Sequence, residues 1–313
     1  MTLRTFTIHP PTSNRSGSEE QDNLVLRCDT IDFSAACISL GTAEIKIIGE
    51  LSNSSNGALL GEIENGDAKI SVVVKPAMYE NPLYDFEWGS LVKREVAAYE
   101  ISNLLGWNIV PPTVLRDVRD MQSSVQLFVP HDPREHYFTL SSGRRAEMEK
   151  FAVFDYIINN ADRKGGHILA EKTESFELFL EPETTTDSSE GTISKSSVDG
   201  RAAARSHAGT QRTLNDDESP FETSVQFWGI DHGLSFHFED KLRTVIWEFS
   251  EEPISTQLME DVNRIHSHIK EVLSPLISLH EVEATVTRLE RLLMNPYHRA
   301  LDANDRAFPW PLV

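Results

Sequence analysis

The chain has 313 residues, 39% of them apolar and 25% charged, enough for one large domain or two lobes with real cores. Its formal net charge of −20 repels phosphate backbones and anionic lipid headgroups, which argues against a nucleic-acid partner and makes any polyanion depend on a divalent cation or a local basic site. The longest apolar runs, Ile70–Val74 and Phe151–Ile158, are too short to span a bilayer, so no integral membrane segment is expected.

Residues 1–24 are polar, with Pro10, Pro11 and a Ser-Gly-Ser-Glu-Glu stretch, and read as a flexible tail. No apolar stretch of signal-peptide type opens the chain. Cys28 and Cys37 are its only cysteines and suit a pair of free thiols in a reducing compartment, so a cytoplasmic location is expected. Strands are expected over Glu44–Gly49, Ala58–Glu64 and Lys69–Val74, with a turn at Asn65-Gly66-Asp67. The loop between the first two, Gly49–Gly57, is built from small turn-forming residues. Residues 89–105 read as a helix stopped by Gly106, and Pro111-Pro112 breaks regular structure. Val125–Val129 reads as a short strand, and Arg144–Ile158 as a helix with Phe151, Phe154, Ile157 and Ile158 in one stripe. Residues 181–224, rich in Ser, Thr and Asp, read as a disordered insertion. Phe227–Asp231 reads as a strand, and 253–271 and 280–294 as helices. The order predicts an α+β, two-lobed protein-kinase-like fold: an N-lobe over 25–130 that is β-rich, and a mainly helical C-lobe over 131–313.

Five groups of residues carry candidate chemistry. Asn160-Ala-Asp-Arg-Lys-Gly-Gly-His-Ile-Leu169 follows a helix, and Asp162 there suits a carboxylate that orients a phosphoryl acceptor. A helix-capping loop with Asp162 paired to Arg163 fits the same residues. Trp228-Gly-Ile-Asp-His-Gly-Leu234 sets Asp231 between a strand and a glycine, as a magnesium ligand or as a strand-end turn residue. Lys75 ends an apolar strand, where its ammonium meets either phosphates or solvent. Glu95 lies on the following helix, where it pairs with Lys75 or simply complements the helix dipole. The backbone amides of Gly49–Gly57 are placed to cover phosphates, although the loop is not GxGxxG. Each signal is weak alone. Their order along the chain is the one a kinase-like active site requires. His266, His268 and His280 read as surface residues, Trp247 and Phe249 as core, and Phe308-Pro-Trp-Pro as either docked or loose.

Asn160-Ala-Asp-Arg-x-x-Gly-x-Ile-Leu169 with Ile230-Asp-His-Gly233 resembles the catalytic and metal-binding motifs of the phosphatidylinositol 3-/4-kinase superfamily, most closely the plant gamma-type 4-kinases. Arg94-Glu-Val-Ala-Ala-Tyr99 and Val110-Pro-Pro-Thr113 are similar to that group as well, and Lys75-Pro76, Asn81–Phe86 and Asp240–Val245 look like a bacterial, mainly actinobacterial branch. The resemblance runs from about Ile45 to Glu248, interrupted by the insertion. It implies that Lys75 holds ATP phosphates with Glu95 as its anchor, that Gln126, Phe128 and their neighbours through Val129 line the adenine pocket, that Asp162 is the catalytic aspartate, and that Asp231 binds Mg2+ or Mn2+. Two positions depart from the family. His167 stands where asparagine, a second metal ligand, is usual; since imidazole suits magnesium poorly, His167 is expected as a metal residue that binds a softer ion, acts through water or marks weakened catalysis. Lys164 stands where histidine is usual, and its ammonium can neutralise a transferring phosphoryl group.

The expected activity is therefore ATP- and divalent-metal-dependent phosphoryl transfer to an acceptor that is lipid, protein or small molecule. The alternative is a nucleotide-binding pseudokinase serving as an interaction module, a reading that His167 favours. A soluble protein whose carboxylates are purely structural is a third.

Overall fold

The computed structural model describes residues 2–9, 24–51, 57–65, 68–172, 176–178, 225–301 and 306–313. The expected insertion and the hairpin turn at Gly66 and Asp67 lie outside these residues. The chain opens with β1 (Thr2–His9) and β2 (Leu24–Asp32), which pair antiparallel, and α1 (Phe33–Thr42) follows. β1 falls within the span read as a tail. Its run of Thr, Phe and Ile favours a strand.

The main sheet is antiparallel and five-stranded, ordered β3 (Ile45–Glu50), β4 (Leu59–Asn65), β5 (Ala68–Pro76), β7 (Met121–Leu127), β6 (Thr113–Val118). Alternation fixes its faces. Ile70, Val72 and Val74 of β5 are fully buried, and the register sets Val74 opposite Val125 and Lys75 opposite Ser124. One face of β5 therefore joins an apolar cluster with Leu40, Ile63 and Trp228. The other carries Lys75. Gly61 of β4 leaves room for the neighbouring strand, since a Cβ there would stand 2.6 Å from the Ile45 side chain.

α2 (Leu91–Leu105) crosses from the sheet to the helical part. It stops at Gly106, whose φ of 72° is left-handed and whose N–H caps Asn103 and Ser102. α3 (Tyr137–Leu140) and α4 (Arg145–Ile158) follow. The stripe of α4 is buried as its spacing predicts, with Phe151, Phe154, Ile157 and Ile158 each at most 1% exposed. Asn159, at φ 51°, ends the helix. β8 (Ile168–Ala170) pairs antiparallel with β10 (Phe227–Gly229), and β9 (Phe176–Leu178) pairs with β2.

The span 253–271, expected as one helix, is two: α5 (Thr256–Ile265) and α6 (Ile269–Leu273), separated by His266, Ser267 and His268. The split lets both Ile265 and Ile269 point inward, at 1% and 0% exposure. α7 (Leu279–Met294) begins with a capping box between Ser278 and Glu281. α2 and α4 to α7 share one large apolar cluster. The described chain is thus α+β and two-lobed as expected, with a β-rich first lobe and a mainly helical second. Among the described residues, no helix is long and apolar enough to cross a membrane.

Candidate active site

Lys75 reaches the site because β5 ends there, on the face away from the apolar cluster. Its ammonium donates to Glu95 Oε1 and, at 2.9 Å, to Asp231 Oδ1. Glu95 is 3% exposed on α2, and its Oε2 accepts from the His232 N–H at 3.0 Å. One carboxylate thus clamps the strand lysine and the Asp-His-Gly turn together. Gly233 permits the close fit: a Cβ there would lie 3.2 Å from the Leu91 Cβ.

The strand expected to reach Asp231 stops at Gly229, and Asp231 itself is left-handed, with φ of 59°. Such a conformation is uncommon outside glycine and tends to persist where surrounding structure enforces it. Here Arg163 does so. Its Nη1 donates to the Ile230 carbonyl at 3.0 Å, and its Nη2 meets His232 Nε2 at 2.8 Å.

Arg163 is fully buried and paired with Asp155 of α4, also fully buried, at 2.9 Å. Asp155 additionally accepts from Asn160 Nδ2 at 3.0 Å and Thr244 Oγ1 at 3.3 Å. The expected alternative, Asp162 paired to Arg163, is not what forms. Asp162 pairs with Lys164 at 2.9 Å, and Asn160 Oδ1 accepts from its backbone N–H at 3.0 Å. The Asp155–Arg163 pair escaped sequence reading. Its one signal was an aspartate inside an apolar helix stripe, which needs a partner when buried.

Lys75, Glu95, Asp162 and Asp231 line one cavity of about 200 Å³, together with Gly233 and Leu234. His167 stands beside it, its Nε2 3.4 Å from Asp231 Oδ2. Gln126 shares the Lys75 face of the sheet, but its amide donates to Thr113 Oγ1 at 2.9 Å. Phe128 is buried, its ring 6.3 Å from that of His131. Neither lines the cavity. The middle of the Gly49–Gly57 loop lies outside the described residues. Its ends close on a bond from Leu51 N–H to the Ala58 carbonyl at 2.8 Å.

The electrostatics follow from this crowding. Burial alone would lower the Lys75 pKa, but the Asp231 and Glu95 carboxylates outweigh it and hold the ammonium charged well above the usual lysine range. The same ammonium, against burial, keeps Asp231 ionised well below the usual carboxylate range. Burial pushes Asp162 up despite Lys164, and the Asp231 charge adds to the rise. Burial drives His167 down to about 4, so its imidazole is neutral near pH 7. Its Nδ1 accepts from the Lys164 N–H at 3.4 Å, which leaves the ring proton on Nε2, facing Asp231.

Two like-charged carboxylates in one cavity fit a hard divalent cation, whose oxygen preference they match. Among the described residues, no group of three or more His, Cys, Asp or Glu side chains is arranged to hold a metal by itself. Further ligands would have to come from phosphate oxygens or water.

No protein-family model matches the chain. Protein Rv2133c of Mycobacterium tuberculosis is 29% identical over 311 residues, covering 87% of this chain and 93% of that protein. Among solved structures, the Golgi casein kinase superposes with a TM-score of 0.44 at 14% identity, covering 84% of this chain and 73% of that one. A Helicobacter pylori proinflammatory kinase, CtkA, superposes with a TM-score of 0.44 at 12% identity, covering 82% and 94%.

Proposed function

We propose that this chain is an ATP- and divalent-metal-dependent phosphotransferase of kinase-like type. The observation that carries the reading is the meeting of Lys75, Glu95, Asp162 and Asp231 at one cavity, from segments as far apart as β5 and the turn after β10. Lys75 is a permanently charged donor, aimed by Glu95, for the oxygens of a polyphosphate. Asp231 would hold the divalent cation, with its remaining ligands supplied by phosphate oxygens and water. When bound, that cation neutralises phosphate charge the protein cannot offset with one lysine.

Asp162 has a second task. Its raised pKa suits a base that takes the acceptor hydroxyl proton as that oxygen bonds to the γ-phosphorus and the bond to ADP breaks. Lys164, paired to Asp162, brings a cation to the transferring group. His167, neutral and donating toward Asp231 Oδ2, keeps that carboxylate oriented rather than entering the metal shell.

The test uses purified protein, labelled ATP and Mg2+ or Mn2+. ATP with the metal should raise the thermal midpoint, since a ligand of the native state alone stabilises it by about 2.7 kcal/mol at a hundred times its Kd. Asp231→Ala should abolish the metal-dependent part. Asp162→Asn should keep the stabilisation and lose transfer by about 10³-fold. Absence of any stabilisation by nucleotide overturns the proposal. Stabilisation without transfer to protein, lipid or small acceptors supports the pseudokinase instead, the reading favoured by an imidazole beside Asp231.

A further inference from the structure

Residues 306–313 run as a strap along the loop that carries Asp162. The Ala307 carbonyl accepts from Thr244 N–H at 3.0 Å and from Trp247 Nε1 at 3.1 Å, and the Phe308 ring meets Trp247 edge-on at 6.5 Å. Beyond Pro309 and Trp310, the Leu312 carbonyl accepts from Gly165 N–H at 2.7 Å. The strap is therefore bonded to the Asp162 loop at Gly165 and to the neighbouring segment at Thr244 and Trp247.

Between strap and loop lies a second cavity of about 560 Å³, lined by Asp162, Lys164, Arg243, Arg306, Phe308 and Trp310 among others. Asp162 and Leu234 line this cavity and also the one holding Lys75 and Asp231. A base that takes the acceptor proton must stand between donor and acceptor, and that is where Asp162 stands.

The cations lining the second cavity are unusual in a chain with 49 acidic and 29 basic residues. Lys164 is paired to Asp162, whereas neither Arg243 nor Arg306 forms an ion pair with a carboxylate among the described residues. Arg243 is held in place by its backbone: its N–H donates to the Asn160 carbonyl at 2.9 Å, and its carbonyl accepts from Arg163 N–H at 3.0 Å. Guanidinium groups suit phosphate and carboxylate oxygens through paired donors, and the Trp310 ring, 88% exposed, offers a flat wall beside them.

We infer that the strap cavity is the acceptor site, and that the acceptor is a hydroxyl compound bearing its own phosphate, held by Arg243 and Arg306 while its hydroxyl faces Asp162. This rests on the phosphotransferase reading above and adds the substrate class to it.

The experiment saturates the full chain with a non-hydrolysable ATP analogue and magnesium, then titrates glycerol 3-phosphate and glucose 6-phosphate against glycerol and glucose by calorimetry. The phosphorylated compounds should bind at least about tenfold more tightly than their uncharged counterparts. Arg243→Gln and Arg306→Gln should each remove about tenfold, and Arg306 is exposed enough that its replacement leaves folding intact. Phosphatidylcholine vesicles with and without an acidic phospholipid form a parallel arm. Binding to the acidic vesicles that both variants abolish would assign the anion to a headgroup; binding of the free esters alone would assign it to a soluble compound. If the analogue binds and phosphate confers no preference, or the variants change nothing, the acceptor assignment fails and the phosphotransferase reading survives. If the analogue does not bind, both fall.

Discussion

Glu95 does two things at once because its two oxygens serve different elements. Oε1 takes the Lys75 ammonium, and Oε2 takes the N–H of His232, one residue past Asp231. Glutamine keeps the shape and loses the charge that aims Lys75. Glu95→Gln is accordingly expected to lower kcat/KM for phosphoryl transfer by about 10²-fold while the fold is retained, read by labelled-ATP assay alongside a thermal melt. A variant with full activity would remove Glu95 from the mechanism. Asp231 illustrates the same point in its backbone. Its left-handed φ is held by bonds to its neighbours, from Arg163 to the Ile230 carbonyl and from the His232 N–H to Glu95.

At the scale of elements, α4 and the loop after it are joined by a buried charge pair. Asp155 and Arg163 are both fully buried, and each makes further hydrogen bonds. Asp155→Ala leaves a buried guanidinium unpaired and is expected to cost about 3–5 kcal/mol, measured by urea unfolding. The Arg145–Glu252 contact, with side chains 58% and 46% exposed, is the internal comparison. Glu252→Ala there should cost about 1 kcal/mol or less. Equal losses from the two variants would refute the burial argument. α2 is fastened at the far end of the same network: Arg94 donates to the Ser235 carbonyl at 2.7 Å and to Glu281 of α7 at 2.6 Å. The helix carrying Glu95 is therefore tied to the helical lobe as well as to the sheet.

For the whole molecule, pH dependence follows from histidines kept neutral inside it. His131, His237 and His298 are each pushed below their ordinary 6.5, chiefly by burial, and for His298 this prevails over the nearby Glu149. The unfolded chain takes up these protons as pH falls below 6.5, and the folded chain does so only lower. The unfolded state binds more protons in that window, so stability declines as pH drops through it and is unaffected above it. The thermal midpoint should thus fall between about pH 7 and about pH 5, and His298→Leu should flatten the decline. A midpoint independent of pH over that range would contradict the burial assignment.

Much of the candidate site is legible in the chain because the signals of its residues are local. An apolar strand ending in Lys75, a helix with Glu95 in its second turn, and two aspartates beside glycine- and asparagine-rich turns all carry their signals within a few residues. Helix ends at Gly106 and Asn159 are legible for the same reason, since both residues tolerate left-handed backbone. The break inside 253–271 was not, because it answers to burial of Ile265 and Ile269 against distant helices. Nor was the true partner of Arg163, nor the docking of residues 306–313 on the Asp162 loop. Residue types and their order were set along the chain. Which charge meets which was decided only when segments 156 residues apart for Lys75 and Asp231, and 187 for Arg94 and Glu281, closed on one another, because ion pairing depends on distance in space and on burial, and neither is a property of local sequence.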